Sequence, residues 1–351
     1  MRLIHCKKAF LSLACALALG AHALPSSAAT KLDARYSGEW FNPDRNGEGV
    51  FLQMLDGDIA VLYFLTFPTA SVVLAEPKAG ETRPAQVWMY SVGTVSGNSI
   101  VFDDVREPYM DKTAKPWTLE TRHWGKVSVR FDDCRNSRLH WEAAGEWGNG
   151  DVALQRLNAL HGLGCADTDA APPQVSGIWL DSHRASSHYL VQQLKADEVQ
   201  LVYMGFDEGS GNPEWSVGVD HAFAAGKIPT PTLMPRETGP YFNMPFDPTL
   251  ITDDGDTDEP KAVATGIVRP VPFRKPVPPP DYSGSRALRE VIDGTGMLAM
   301  TLGCGGKGAG TQATIRATSN PRHPQYVLRQ LDLVQLTVPR GVTAPAACAK
   351  P

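Results

Sequence analysis

Two short stretches hold the residue types whose spacing suggests chemistry. The first is the turn Trp40-Phe41-Asn42-Pro43 with Arg45, Gly47 and Gly49. Tryptophan offers a flat stacking face and glycine lets a ligand approach the backbone closely. Trp40, Asn42, Arg45 and Gly47 are therefore the expected binding surface. The same residues also suit a plain corner, since Gly supplies positive φ and Pro fixes the bend. The second stretch holds Asp181, His183, Ser187 and His188, the one close cluster that suggests nucleophilic or metal chemistry. A metal site needs three or four converging ligands, and a serine nucleophile needs a positioned base and oxyanion donors. This stretch stands where a second copy of the first turn would be, so drift accounts for it more simply.

Other motifs fall short of their patterns. Asp254, Asp256 and Asp258 alternate as in a calcium loop, but Glu259 and Thr265 stand where an EF-hand requires Gly and Glu. The glycine-rich run Gly303 to Thr311 is no P-loop, because Gly308 follows Lys307. Neither GxSxG nor HExxH occurs, and no cofactor or metal is expected. Of the six tryptophans besides Trp40 and Trp179, Trp117 and Trp124 lie in the polar stretch KPWTLETRHW and are the pair expected to be exposed; most of the others read as core.

These residues are positioned by a repeated unit. The stretch Tyr36 to Phe67 aligns without a gap to Val175 to Phe206. Ser37, Gly38, Trp40, Arg45, Gln53, Leu55, Asp58, Leu62 and Phe67 meet Ser176, Gly177, Trp179, Arg184, Gln192, Leu194, Asp197, Leu201 and Phe206. Matches at one offset across loop and apolar positions indicate duplication.

Each unit reads as all-β. Gly49 to Leu55 and Asp58 to Phe67 are strand-like runs around the hairpin signal Asp56-Gly57. The second strand, apolar on both faces, is expected to be central. Further strands are expected at Ser71 to Ala75, Gln86 to Val92, Ser99 to Val105, Lys126 to Asp132, Arg138 to Glu142 and Val152 to Leu157. In the second unit they are expected at Tyr189 to Leu194, Glu198 to Phe206, Glu214 to Val219, Gly296 to Leu302, Thr311 to Ala317 and Tyr326 to Leu336. The expected architecture is two tandem antiparallel β-sandwich or β-barrel units with little helix, over 30–165 and 175–348, joined by a linker at 166–174. The Pro-dense stretch 226–281 is expected to be a loop excursion with edge pairing.

The first residues point to export. Arg2, Lys7 and Lys8 precede the apolar run Ala9 to Leu19, and cleavage is expected after Ala29, giving a signal peptide at 1–29. Acylation at Cys15 is the rival, but Ser12 stands three residues before it. No other segment is long and apolar enough to span a bilayer as a helix. Four cysteines remain, allowing three pairings. The repeat selects Cys134–Cys165 and Cys304–Cys348, because in each copy the first ends an apolar strand and the second closes the unit. Zinc is the rival, without CxxC spacing or paired His to support it. The net charge of -5 over 351 residues gives no reason to expect nucleic acid.

The opening motif W-[FYW]-N-P-x-x-x-G-x-G resembles a repeat of secreted bacterial β-proteins. In that family an aromatic strand ends in Gly-x-Pro-x-Trp, followed by Thr-Gly-Pro-x-Phe and a Cys-bearing strand. The first copy keeps Asn42, Pro43, Gly47 and Gly49, whereas the second keeps Gly211 to Trp215 and Thr238 to Phe242. The resemblance implies an exported β-repeat protein and brings no reaction or ligand with it.

The sequence thus leads to an exported, periplasmic or secreted, non-enzymatic binding or envelope-associated module. Its expected partner is an envelope glycan or a secreted protein. The alternatives are an envelope hydrolase with a site assembled from distant residues, footed on Asp181 to His188, and a structural or inhibitory partner of another secreted protein.

Overall fold

The structure, a computed structural model, describes residues 31–45, 47–75, 84, 86–167, 170–181, 184–206, 210–220, 241–246, 269–270, 296–304, 311–319 and 329–343. The first unit is a closed antiparallel barrel of β1 (Gly38–Phe41), β2 (Gly49–Leu55), β3 (Ile59–Thr66), β4 (Val87–Ser96), β5 (Ser99–Asp111), β6 (Thr118–Phe131), β7 (Asn136–Ala143) and β8 (Asn149–Ala159). Each strand pairs with the next, and β8 closes the ring on β1, Gly38 facing Ala159 and Phe41 facing Gln155. Eight strands leave a bore that side chains can fill. Alternate residues do so: Val50, Leu52 and Met54 of β2, Ala60, Leu62 and Phe64 of β3, then Ile100, Phe102, Val127, Val129 and Phe131 further round. The outer face of β6 to β8 carries Lys126, Arg130, Arg138, His140 and Asp151. Apolar inside and charged outside is the reverse of a lipid-facing barrel. No helix among the described residues is long and apolar enough to cross a membrane.

The Asp56-Gly57 hairpin forms as expected, Leu55 facing Ile59 across a loop in which Gly57 and Asp58 take positive φ of 80° and 56°. Two expectations are corrected. Ser71 to Ala75 is not a strand. Ala70–Leu74 is a single helical turn (α1), with Val73 N–H donating to the Thr69 carbonyl and the Thr69 and Ser71 hydroxyls donating to the Glu146 carboxylate. Local hydroxyl bonding and the preceding Pro68 override the β-branched pair Val72-Val73. The polar stretch before Lys126 is strand, since β6 starts at Thr118 and pairs with β5 out to Asp111. It shows little apolar alternation because both of its faces are largely exposed there.

The second sheet contains β9 (Gly177–Asp181), β10 (Arg184–Gln193), β11 (Val199–Phe206), β12 (Pro213–Asp220), β13 (Arg269–Pro270), β14 (Gly296–Cys304), β15 (Thr311–Ser319) and β16 (Arg329–Gln335). Its order is β12-β11-β10-β9-β16-β15-β14-β13. The barrel read the same way is β4-β3-β2-β1-β8-β7-β6-β5. The order is therefore shared, except that β13 pairs with β14 in parallel where β5 pairs with β6 antiparallel, and among the described residues no pairing joins β12 to β13.

Local bonding repeats at the offset of the sequence alignment. Trp40 Nε1 donates to the Tyr36 carbonyl and Trp179 Nε1 to the Val175 carbonyl, each at 3.3 Å. Met54 N–H donates to Ser37 Oγ and Gln193 N–H to Ser176 Oγ, each at 2.9 Å.

The outer faces of the two units pack back to back. Phe51, Tyr63, Leu65, Phe67 and Trp88 of the barrel meet Leu190, Val202, Met204, Phe206 and Trp215 of the second sheet. This explains why β3 is apolar on both faces: one lines the bore and the other is covered by the second unit. The indole of Trp88 donates to the Gly205 carbonyl and that of Trp215 to the Thr66 carbonyl, each at 3.1 Å. Gly205 and Thr66 are aligned positions, so the exchange has the reciprocity of a two-fold interface. Glu39 crosses the same boundary: its Oε2 accepts from Asn158 Nδ2 at 3.0 Å and Gln200 Nε2 at 2.8 Å, while burial raises its pKa.

Candidate binding site at the barrel mouth

The expected surface residues have separate fates. Trp40 is 0% exposed, edge-on to Phe131 at 5.1 Å, with the Arg156 guanidinium over its ring at 5.8 Å. It is no stacking platform, which corrects the expectation. Its large apolar area is used inside the barrel. Asn42 holds its own turn. Its Oδ1 accepts from Asp44 N–H at 2.6 Å, its Nδ2 donates to the Ala153 carbonyl at 2.8 Å, and its carbonyl accepts from Arg45 N–H at 3.2 Å. Gly47 takes φ 60°, and a Cβ there would stand 3.2 Å from the Phe67 ring, so it serves the corner.

Arg45 is different. Its side chain is only 18% exposed, its guanidinium lies over the Trp141 ring at 5.6 Å, and Nη1 is 3.8 Å from Glu48 Oε2. That ion pair is too long to be a hydrogen bond. Glu48 is buried; its Oε1 accepts from Thr66 Oγ1 at 2.6 Å and from Asn243 N–H at 2.8 Å. Desolvation raises its pKa, against the opposing pull of those two bonds and the Arg45 charge. Behind the pair, a small cleft of about 20 Å³, room for about one water, opens between Val50, Phe64, Leu139, Trp141, Val152 and Leu154. The opening turn thus does border a site. Asn42 and Arg45 line it, Trp40 is absent from it, and Glu48 and Trp141 complete it.

A segment far along the chain closes this mouth. Phe242 packs edge-on to Trp141, Trp147 and Phe64 at 5.5, 4.9 and 6.2 Å. Phe242 N–H donates to the Pro68 carbonyl and Phe246 N–H to the Asp44 carbonyl, each at 2.8 Å, and Pro245 bridges Arg45 in antiparallel sense. Tyr241 to Phe246 lies within the expected Pro-dense excursion, and Pro245 makes one isolated bridge with Arg45. Nothing in the local sequence says which edge would receive it, since the acceptors lie near residue 45.

The other expected sites are placed as follows. Ser187 and His188 are neighbours on β10 and so face opposite sides of the sheet, which removes the simplest serine–histidine pair. His188 Nδ1 lies 2.8 Å from the Tyr63 hydroxyl, with the rings of Trp88 and Tyr90 around it at 5.1 and 5.8 Å. His183 and the acidic run Asp254 to Asp258 lie outside the described residues. Trp124 is corrected to core, edge-on to Phe64 and Trp147, whereas Trp117 is 36% exposed beside Gly211. Among the described residues, no group of three His, Cys, Asp or Glu is placed to hold a metal ion.

Cys134 and Cys165 form the expected disulfide, Cα atoms 5.6 Å apart, while the Cys304–Cys348 pairing lies outside the described residues. Sequence reading missed Arg156. Its guanidinium donates to the Ser37 and Leu163 carbonyls at 2.6 and 3.2 Å and to Cys134 Sγ at 3.3 Å. Burial lowers its pKa to about 10. It ties the start of β1, the disulfide and the end of β8 into one knot.

Fold and site together define an antiparallel barrel with a filled bore and one charged, partly closed mouth. Compared with protein-family models, with curated proteins and with solved structures, the chain matches none.

Proposed function

We propose that the chain is an exported binding module, non-enzymatic, whose site is the barrel mouth formed by Arg45, Glu48, Asn42 and Trp141. One observation carries this reading. A guanidinium that is four-fifths buried makes no hydrogen bond with the described residues, and it stands at the edge of an apolar cleft. Its N–H groups keep access to solvent and so to a ligand, and a guanidinium fork suits carboxylate or clustered hydroxyl groups. An envelope glycan presents such groups, and the Trp141 ring supplies an apolar wall. Export rests on the amino-terminal sequence and on the cysteine pair. Duplication of one ancestral unit is supported by the shared strand order and by the matched tryptophan and serine hydrogen bonds.

The test is binding of the oxidised chain to a panel of envelope glycans and cell-wall fractions, beside Arg45→Ala and Trp117→Ala. One class is expected to bind and to lose about tenfold or more in Arg45→Ala, the scale of a charged hydrogen bond. Trp117→Ala should bind as the wild type does. Binding that survives Arg45→Ala, or that depends on Trp117, would move the site away from the mouth.

A further inference from the structure

We infer that the barrel mouth recognises peptide segments that turn directly after an aromatic side chain, and that the chain's own Tyr241 to Phe246, with Met244 N–H donating to the Tyr241 carbonyl and Asn243 at φ 64°, is the resident occupant. This deepens the binding reading above and rests on it. The seat of the segment contains the parts of a peptide site. A cup of Phe64, Trp141 and Trp147 takes one ring edge-on. The buried Glu48 carboxylate takes the N–H of the next residue. The Asp44 carbonyl takes an N–H three residues further on, and Arg45 bridges the proline between them. Main-chain bonds and a single isolated bridge supply affinity, and the ring pocket supplies selectivity.

The specificity follows from these contacts. The ring must be followed by a residue with a free N–H, so proline is excluded directly after it. Proline is accepted three residues after the ring, where Pro245 stands and the described bonds require no donor. An acidic residue directly after the ring would set a second carboxylate close to Glu48, which is disfavoured. The segment is joined to the described strands only through 221–240 on one side and 247–268 on the other. The segment is carried by the chain itself, so a free peptide must compete with an intramolecular occupant.

The experiment uses the intact oxidised chain and a capped synthetic peptide with the sequence of residues 241–246, followed by calorimetry or tryptophan fluorescence. Phe242→Ala empties the cup; Phe242→Leu, which keeps apolar bulk without the ring, replaces it if the alanine variant does not fold. The folded variant is expected to bind the peptide at least about tenfold more tightly than wild type, whose own segment competes. A control peptide with alanine in place of its phenylalanine at the second position should not bind. A folded variant that binds no peptide overturns the inference, as does equal binding to variant and wild type. If the peptide fails while glycan binding remains dependent on Arg45, the mouth stands as a site and only the peptide specificity falls.

Discussion

Replacing Trp40 with alanine is expected to destabilise the chain by about 3–5 kcal/mol, the usual cost of deleting a large buried ring. The indole is fully enclosed, donates to the Tyr36 carbonyl, packs edge-on to Phe131 and carries the Arg156 guanidinium over its ring. Little around it can relax into the space, because β1 is pinned between β2 and β8. Midpoints of guanidinium denaturation should fall with an unchanged slope, the signature of lost stability within one native fold. Trp179→Ala should behave alike, since its indole makes the same bond to Val175. A loss under about 1 kcal/mol at Trp40 would fit an exposed residue and not a buried ring.

The second large effect belongs to Cys134 and Cys165. The bridge spans a sequence separation of 31, for which chain entropy gives about 3–4 kcal/mol. It also anchors Arg156, which reaches Cys134 Sγ and the Leu163 carbonyl from β8. The Cys134→Ala/Cys165→Ala variant should unfold at a correspondingly lower denaturant concentration than the oxidised wild type. A double substitution is the sharper test, because reductant would act on every cysteine at once. An unchanged midpoint would mean that the knot at the end of β8 holds without the bridge.

Much of this fold could be read from the chain. The Asp56-Gly57 corner, the strand-like runs and the Cys134–Cys165 pair are local or repeated signals. The offset between the two stretches predicts which indole and hydroxyl groups will behave alike. The site was legible only in part. The turn that carries Arg45 is plain in the sequence, but the fate of each side chain is set by its face of the strand. Trp40 points into the bore, whereas Arg45 sits past the end of β1 and escapes it. Glu48 gave no signal, because its meaning depends on Thr66 and on Asn243, which is distant in sequence. Phe242 was visible as part of a Thr-Gly-Pro-x-Phe match, yet its docking place belongs to the other unit. Trp88 and Trp215 looked like ordinary core residues; their exchange of hydrogen bonds appears only when two outer faces meet.

The claim on which the peptide reading depends is that Tyr241 to Phe246 is seated on the mouth of the barrel. Amide hydrogen exchange across that segment in the intact chain tests it most directly. Phe242, Asn243 and Phe246 donate to Pro68, Glu48 and Asp44, so their amides should exchange far more slowly than unstructured ones, as paired amides do. Exchange at the intrinsic rate throughout 241–246 would contradict the account, leaving the mouth open and the aromatic cup without its occupant.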